Sequence, residues 1–450
     1  MEFEVKDVAR ALGLNIESSQ RITGWSIDSR TVAPGDLFFA LRGPNHDGDA
    51  YVDDVLRKGA VAAVANDTAK NQAAPGPVLI VPDTLEALQS AASWALQQWS
   101  GEVIGVTGSA GKTSTKDVIA AILGASMPVG KTIGNLNNHL GVPLSILRLP
   151  DEARVAVLEM GMNHAGEIRK LCEIARPRIG VVTNVGYAHM EAFDSIEGVA
   201  AAKRELIESL PPDGIAVLNA GDPLVSRFRE VHPGRTITFG IDSGDIRAGH
   251  IQLTDSGVSF MVEGVLFESS MLGRHSVLNI VAGIAVAALY GIRPAQLTSV
   301  VRDLAAPSMR GRRLIHDEVL ILDDCYNSNP DAARAMIDVL RDTPAKRRIA
   351  VLGEMLELGR WSEPLHRDVG SYVAASGIDV LVGIRGEACH LVDAARHAGL
   401  AVNAAFFFAD APAAGELLRR IARPGDAILF KGSRGTHVEL ALEKFVVRSN

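Results

Sequence analysis

The sequence predicts an α/β protein of three domains: a small N-terminal α/β domain, a central P-loop domain on a parallel sheet, expected to act as an ATPase, and a C-terminal Rossmann-like domain. Three observations carry this. The chain has 450 residues, enough for about three domains. Short apolar runs alternate with segments of helical periodicity, as in parallel sheets with crossover helices, and the alternation restarts near residues 99 and 313. Between Val103 and Lys116 a strand runs through a glycine loop into a helix. Domains are accordingly expected over 1–98, 99–312 and 313–450.

The glycine loop is the stretch that organises the rest. It reads Thr107-Gly108-Ser109-Ala110-Gly111-Lys112-Thr113-Ser114, between the apolar run Val103–Val106 and the helical run Val118–Leu123. Glycines let successive backbone N–H groups face one anion, and a helix N-terminus adds its positive end. Lys112 is expected to reach the outer phosphates of a nucleotide, and the Thr113 hydroxyl to ligate Mg²⁺. The spacing departs from G-x-x-x-x-G-K-[ST], because Val106 stands five places before Gly111. The alternative reading is a tight strand-to-helix turn with a solvent-facing lysine.

Composition narrows the class. Hydrophobic residues make up 47% and charged residues 22%, so core-forming material is ample. The net charge of -8 argues against nucleic acid as the main partner, which would favour a basic face. Cys172, Cys325 and Cys389 are scattered without metal-ligand spacing and read as reduced thiols of a cytoplasmic protein. The N-terminal MEFEVKDVARALG carries acids and no long apolar run, so no signal peptide is expected. The apolar stretch Val277–Tyr290 is interrupted by Asn279 and too short to span a bilayer, so no membrane insertion is expected.

In the first domain, Val5–Leu12 reads as a helix, Trp25–Arg30 and Leu37–Leu41 as strands, and 43–51 as a polar glycine loop. Asp28-Ser29-Arg30 either holds a phosphate or base or is an ordinary strand end with a solvated arginine. In the second, Val155–Leu158 and Ile179–Thr183 are buried strands, ending at Glu159 and Asn184. Ligands gather at the carboxyl ends of parallel strands, which brings Glu159 and His189 within plausible reach of the phosphates; the alternative is a structural role for both. Lys203 falls on a helix over 196–210, and Arg235–Phe267 reads as an antiparallel patch. In the third domain Val319–Leu322, Ala350–Leu352, Val380–Val382 and Ala427–Phe430 read as strands. Lys431–Gly435 follows the last of them and suits either an anion site or a plain turn. Two functions fit these residues: an ATP-dependent enzyme that activates an acid as its phosphate, or a nucleotide switch. The Asn-Lys-x-Asp base-reading motif of GTP switches does not occur.

Taken together the motifs resemble the Mur ligases, which join amino acids or peptides to the peptidoglycan precursor. The resemblance covers the whole chain. It rests on Asp28-Ser29-Arg30 with Pro34-Gly35, Asp47-Gly48 and Tyr51, on the loop Thr107–Thr113, and on Glu159, Asn184, His189, Lys203, Gly273-Arg274-His275 with Asn279, Arg312 and Lys431-Gly432-Ser433, in family order. Asn135-Leu136-Asn137-Asn138, the segment Leu322–Pro330 and Gly353–Gly359 resemble the branch that adds D-alanyl-D-alanine. Arg310 departs from that branch, where proline often stands.

The resemblance implies a ligase that activates the carboxylate of UDP-N-acetylmuramoyl-tripeptide as an acyl phosphate and passes it to the amine of D-Ala-D-Ala. The alternative is a family member with another amino-acid acceptor. It implies Lys112, Lys203 and His189 as catalytic residues, and Mg²⁺ on Thr113, Glu159, His189 and a carbamylated Lys203 formed with CO₂. ATP would be held by 107–114 with Asn279, Arg312 and Asp323. Substrates would meet Asp28, Ser29, Arg30, Asp47, Asn137 and Asn138, and the dipeptide Tyr326, Asn327, Lys431 and Ser433. A monomer in the cytoplasm is expected.

Overall fold

A computed structural model describes residues 3–44, 46–66, 74–254 and 256–447. Asn45, inside the predicted glycine loop, lies outside the described residues. Strands β1 (Phe3–Glu4) and β2 (Arg21–Ile22) form a small antiparallel pair beside a four-stranded parallel sheet. That sheet runs β3 (Gly24–Ser26), β4 (Asp36–Phe39), β5 (Ala62–Ala65), β6 (Val78–Ile80). The helix Thr84–Gln98 covers it, its first turn capped by Asp83, whose Oδ1 accepts from Leu85 N at 2.7 Å and Glu86 N at 3.1 Å.

The predicted strand Trp25–Arg30 stops at Ser26. Asp28 Oδ1 accepts from Arg30 N at 3.0 Å, so the aspartate closes a local turn instead of continuing the sheet. Its carboxylate also pairs with the Arg30 guanidinium at 2.6 Å, and this hydrogen bond holds the carboxyl at about 2.

The central sheet contains β7 (Glu102–Thr107), β8 (Val129–Lys131), β9 (Val155–Glu159), β10 (Ile179–Val182), β11 (Ile215–Asn219), β12 (Arg235–Ile241), β13 (Ile246–Thr254), β14 (Gly257–Val262) and β15 (Val265–Ser269). Their spatial order is β15-β14-β13-β12-β11-β10-β7-β9-β8. The antiparallel patch expected over 235–267 begins later than the alternation suggested. β12 pairs parallel to β11, and β13 parallel to β12; only β13–β14 and β14–β15 are antiparallel. Residues 242–245 make the β12–β13 link with Asp242 at φ 59° and Gly244 at φ 95°, a bend that short-range hydropathy does not encode.

The third sheet contains β16 (Arg312–His316), β17 (Val319–Asp324), β18 (Arg347–Gly353), β19 (Val380–Ile384), β20 (Ala405–Phe408) and β21 (Asp426–Lys431), in the order β16-β17-β21-β18-β19-β20. β16 is antiparallel to β17 and the rest are parallel. Among the described residues no helix is long and apolar enough to cross a membrane. The most apolar one, Gly273–Leu289, is packed inside the protein against the helix Lys112–Gly124. Gly283 permits that approach: a Cβ there would lie 2.7 Å from Val118 Cγ1.

Glycine also brings the helix Ile196–Glu208 close to the sheet. Gly105 and Gly180 face each other on β7 and β10. A Cβ at Gly105 would meet Leu206 Cδ1 at 2.9 Å, and one at Gly180 would meet Leu206 Cγ at 3.2 Å. The same helix carries Lys203, so its seating fixes that side chain relative to the phosphate loop. Replacing Gly105 with valine forces Leu206 outward. The expected cost is about 1–3 kcal/mol of unfolding free energy, read from urea denaturation, because overpacked cores strain their neighbours. An unchanged midpoint would mean that this helix packs loosely.

Candidate active site

The loop between β7 and the helix Lys112–Gly124 is held open from one side. Gly108 has φ 151° and Gly111 φ 78°, conformations that side chains oppose. A Cβ on Gly108 would stand 1.9 Å from Thr183 Oγ1, and one on Gly111 2.7 Å from Asn279 Oδ1. The loop is tied to the end of β10. Asn184 Oδ1 accepts from Ala110 N at 2.8 Å and its Nδ2 donates to Ala110 O at 3.0 Å. Thr183 Oγ1 donates to the same carbonyl at 2.7 Å, and Ser109 Oγ donates to Gly186 O at 3.0 Å. Lys112 Nζ donates to Gly108 O at 2.7 Å, so the lysine curls over its own loop.

A cavity of about 570 Å³ opens above this loop. Its lining takes in 109–114, with Glu159 from the end of β9, His189 from beyond β10 and Asn279 from the buried helix. Thr113 Oγ1 donates to Glu159 Oε2 at 2.8 Å, and Asn137 Nδ2 donates to Glu159 Oε1 at 2.8 Å. Asn279 Oδ1 accepts from Thr115 Oγ1 at 3.0 Å. The C-terminal sheet closes the other wall with Asp324, Tyr326, Asn327 and Lys431. Lys431 Nζ donates to Asp324 Oδ2 at 2.5 Å and Asn327 O at 2.9 Å. Tyr326 carries the Arg310 guanidinium 3.9 Å above its ring.

Direct contacts cross the seam between the second and third sheets. Tyr187 N donates to Asp331 Oδ2 at 3.0 Å, and Asn329 Nδ2 to Ser109 O at 3.4 Å. Glu191 N donates to Glu357 O at 3.0 Å. His189 Nδ1 lies 2.7 Å from Glu357 Oε2 without the alignment of a hydrogen bond. His189 beside Glu357 lowers that carboxyl below the usual range. Both residues sit at positive φ, 59° and 64°, a strained backbone that favours a functional reading.

Electrostatics in the cavity follow from burial. Burial pushes the Lys112 amine below its ordinary value, with Glu159 and Glu357 opposing and Arg310 adding to the shift. Lys203 is buried, and burial lowers its amine strongly, assisted by the charge of Lys112. It has no ion-pair partner among the described residues. The Thr113, Glu159 and His189 donors are a hydroxyl, a carboxylate and an imidazole. They form no cluster of three His, Cys, Asp or Glu that could hold an ion unaided among the described residues. A hard cation on one or two carboxylates is completed by phosphate oxygens and water, and Thr113 with Glu159 fits that pattern.

The other predicted residues fall elsewhere. Thr107 ends β7, its hydroxyl donating to Met160 O at 2.8 Å, and Gly108 supplies the carbonyl to Lys112. Lys203, Arg312, Asp323, Asn138 and Ser433 are not among the cavity-lining residues. Arg312 Nε lies 3.7 Å from Asp323 Oδ2, and the neighbours Arg310 and Asp324 line the cavity instead. Residues alternate faces along β17, so Asp323 and Asp324 cannot share one wall. Asn138 Oδ1 caps the helix Gly141–Leu147, accepting from Gly141 N at 2.9 Å. Ser433 Oγ accepts from Leu356 N at 2.9 Å and donates to Ser328 O at 3.2 Å, bracing two loops behind the wall. Asp28, Ser29, Arg30 and Asp47 belong to the first sheet's loops; Asp47 caps the turn Gly48–Tyr51. Sequence reasoning gave no role to Asn329, Asp331 or Glu357, although Asn329 and Glu357 lie inside the segments Leu322–Pro330 and Gly353–Gly359 that carry the resemblance.

Three family models match the chain in order: "Mur ligase family, catalytic domain" over 21–94, "Mur ligase middle domain" over 106–287 and "Mur ligase, glutamate ligase domain" over 309–434. A relative from Synechocystis, named UDP-N-acetylmuramoyl-tripeptide–D-alanyl-D-alanine ligase, is 36% identical over 93% of this chain and 91% of its own length. The chain belongs to the Mur ligase family. A Bacillus subtilis Mur ligase of the same name is 34% identical over 93% of this chain and 92% of its own. Among solved Mur ligase structures, MurF from Acinetobacter baumannii matches with a TM-score of 0.89 at 29% identity, over 99% of both chains. MurF from Thermotoga maritima in complex with ADP matches with 0.83 at 31%, over 94% of this chain and 96% of that one.

The loop that carries Glu357 hangs on one buried histidine. His366 Nε2 accepts from Met355 N at 2.9 Å while Nδ1 faces Ser362 O at 2.8 Å, which requires the neutral ring. Burial lowers its pKa below the ordinary 6.5, against the Ser362 carbonyl and the charges of Glu354 and Glu387. A base whose folded pKa is depressed leaves stability intact above its unfolded pKa. Below that value the unfolded chain takes up the proton first. Stability is therefore expected to fall as pH drops from about 6.5, and to fall less in His366→Gln, in thermal melts across pH 7.5 to 5. Identical pH slopes for both proteins would remove this histidine from the account.

Proposed function

We propose that the chain is an ATP-dependent ligase that joins D-alanyl-D-alanine to UDP-N-acetylmuramoyl-tripeptide through an acyl phosphate. The carrying observation is the single cavity in which the phosphate loop, Glu159 and His189 face Asp324, Tyr326, Asn327 and Lys431 across the seam. One side can hold a nucleotide and an acid, and the other an amine. The relatives' names supply the substrates. The domains expected over 1–98, 99–312 and 313–450 then divide the work into UDP-substrate binding, ATP binding and dipeptide delivery.

A carboxylate oxygen is a poor leaving group, so the acid is first made into an acyl phosphate. Lys112 then faces the oxygens on which charge develops during phosphoryl transfer, and the loop amides with the helix N-terminus face the same charge. The dipeptide amine attacks the acyl carbon, a tetrahedral centre forms, and phosphate leaves with its bonding electrons. Bound Mg²⁺ would supply charge neutralisation between the phosphates and the attacking carboxylate, held by Thr113, Glu159 and His189. Lys203 is suited to become a carbamate: its buried amine favours the neutral form that adds to CO₂, forming an N–C bond and releasing a proton. The contacts of Tyr187, Glu191 and Ser109 with the third sheet would exclude water from the acyl phosphate.

The decisive assay measures ATP turnover with UDP-N-acetylmuramoyl-tripeptide while candidate amines are added singly. D-Ala-D-Ala should stimulate it and single free amino acids should not; the reverse pattern assigns another acceptor. Lys112→Ala should lose about 10²–10³-fold in turnover, the effect of one donor to developing charge in a water-poor site. Near wild-type turnover would make the loop structural. Lys203→Ala should lose most activity and regain part of it with short carboxylic acids, which would not restore Lys112→Ala. Full activity of Lys203→Ala would eliminate the carbamate.

A further inference from the structure

The helix Lys112–Gly124 carries a second lysine, one turn beyond Lys112. Lys116 is only 2% exposed and is not among the cavity-lining residues. A buried ammonium is costly to keep unless it is paired, and an apolar side chain would fill the same space without that cost. Its partners are specific. Nζ donates to Thr132 O at 2.8 Å and lies 3.3 Å from Asp117 Oδ1. Asp117 also accepts from Lys131 Nζ at 2.6 Å, so both partners of Lys116 lead to the end of β8.

Thr132 is fully buried and stands just past that end. Its N–H donates to Val157 O at 3.1 Å. The next bond along β9 goes to a side chain instead: Glu159 N donates to Thr132 Oγ1 at 3.0 Å. On the other edge of β9, Met160 N donates to Val106 O at 2.8 Å. The backbone at Glu159 is thus held between β7 and Thr132, and Thr132 is held by Lys116. The Glu159 carboxylate accepts from Thr113 Oγ1 and Asn137 Nδ2. Thr113 and Lys116 share one helix, so the bond from Lys116 to Thr132 joins the two elements that carry the candidate cation donors. A cation shared by Thr113 and Glu159 takes lone pairs from both. Their spacing must then be set by bonds outside the pair, and Lys116 with Thr132 makes such a bond.

We propose that Lys116 is a positioning residue for the Mg²⁺ donors: through Thr132 it sets the backbone of Glu159 against the helix that carries Thr113. The assignment rests on the reading of Thr113 and Glu159 as Mg²⁺ donors, and not on the identity of the acid or the amine. The probes are ADP and Mg²⁺. ADP is titrated into the full chain by calorimetry at rising Mg²⁺, with no other substrate, and thermal melts check that each variant folds. Lys116→Met keeps the stem and removes the donor. Thr132→Val removes the acceptor and keeps the shape, and Thr132→Ser keeps the hydroxyl.

The Mg²⁺ concentration that gives half of the gain in ADP affinity should rise about tenfold or more in Lys116→Met and in Thr132→Val, the scale of losing a partner that orients a metal ligand. ADP affinity without Mg²⁺ should stay at the wild-type value, and excess Mg²⁺ should restore the full gain. Thr132→Ser should keep the wild-type Mg²⁺ requirement. Both changes act through one link, so the double variant should lose no more than the larger single loss.

A wild-type Mg²⁺ requirement in Lys116→Met would overturn the assignment; if that variant does not fold, the same result in Thr132→Val would overturn it. So would ADP affinity that falls equally with and without Mg²⁺, which would make the lysine a support of the phosphate loop alone. ADP binding by the wild type that is indifferent to Mg²⁺ would instead overturn the reading of Thr113 and Glu159 as its donors.

Discussion

The pairing of Asn184 with Ala110 is the constraint on which the site depends. One side-chain amide satisfies both the N–H and the C=O of a loop residue, at 2.8 and 3.0 Å. With Thr183 on the same carbonyl and Ser109 on Gly186, the loop after β7 is fixed to the loop after β10. A phosphate cradle made of glycine has little stiffness of its own. Here it borrows stiffness from the neighbouring strand, so that Gly108 and Gly111 hold left-handed conformations without collapsing. The cost is that the Ala110 N–H is committed to Asn184, which leaves the remaining loop amides, the helix N-terminus and Lys112 to meet an anion.

The same anchored loop carries the third sheet. Ser109 O accepts from Asn329, and the Tyr187 amide, a few residues past Asn184, donates to Asp331. Gly186 is part of this approach: a Cβ there would lie 2.1 Å from Asp331 Oδ2. The proposed nucleotide loop and the seam thus share residues 109–110 and 184–187. His189 and Glu357, each in a left-handed conformation, make the second point of contact. Strain on both sides of one contact is sustained only where the surrounding structure over-determines it.

Much of this was legible in the sequence, for identifiable reasons. Parallel strands buried on both faces read as continuous apolar runs, which located β7, β9, β10, β17 and β21. The rule that ligands gather at their carboxyl ends points to Glu159 and His189, and both line the cavity above the loop. What failed was what sequence distance hides. Asp28 spends its side chain on its own turn, so the strand stops at Ser26. The parallel pairing of β12 with β13 depends on two left-handed residues. Arg310 and Asp324 displace Arg312 and Asp323 from the cavity wall through strand alternation and one cation–π contact, neither of which a motif records. Glu357 and Asp331 matter across the seam, and no local pattern announces a partner that lies far along the chain.

The central claim is that the acid passes through an acyl phosphate in the cavity between the loop and the third sheet. Oxygen tracing tests this directly. UDP-N-acetylmuramoyl-tripeptide labelled with ¹⁸O in its terminal carboxylate is turned over with unlabelled ATP and D-Ala-D-Ala, and the released phosphate is examined by mass spectrometry or ³¹P NMR. The account predicts that one carboxylate oxygen leaves with the phosphate at each turnover. Product formed with unlabelled phosphate would contradict it, because amide formation would then have bypassed phosphorylation of the acid.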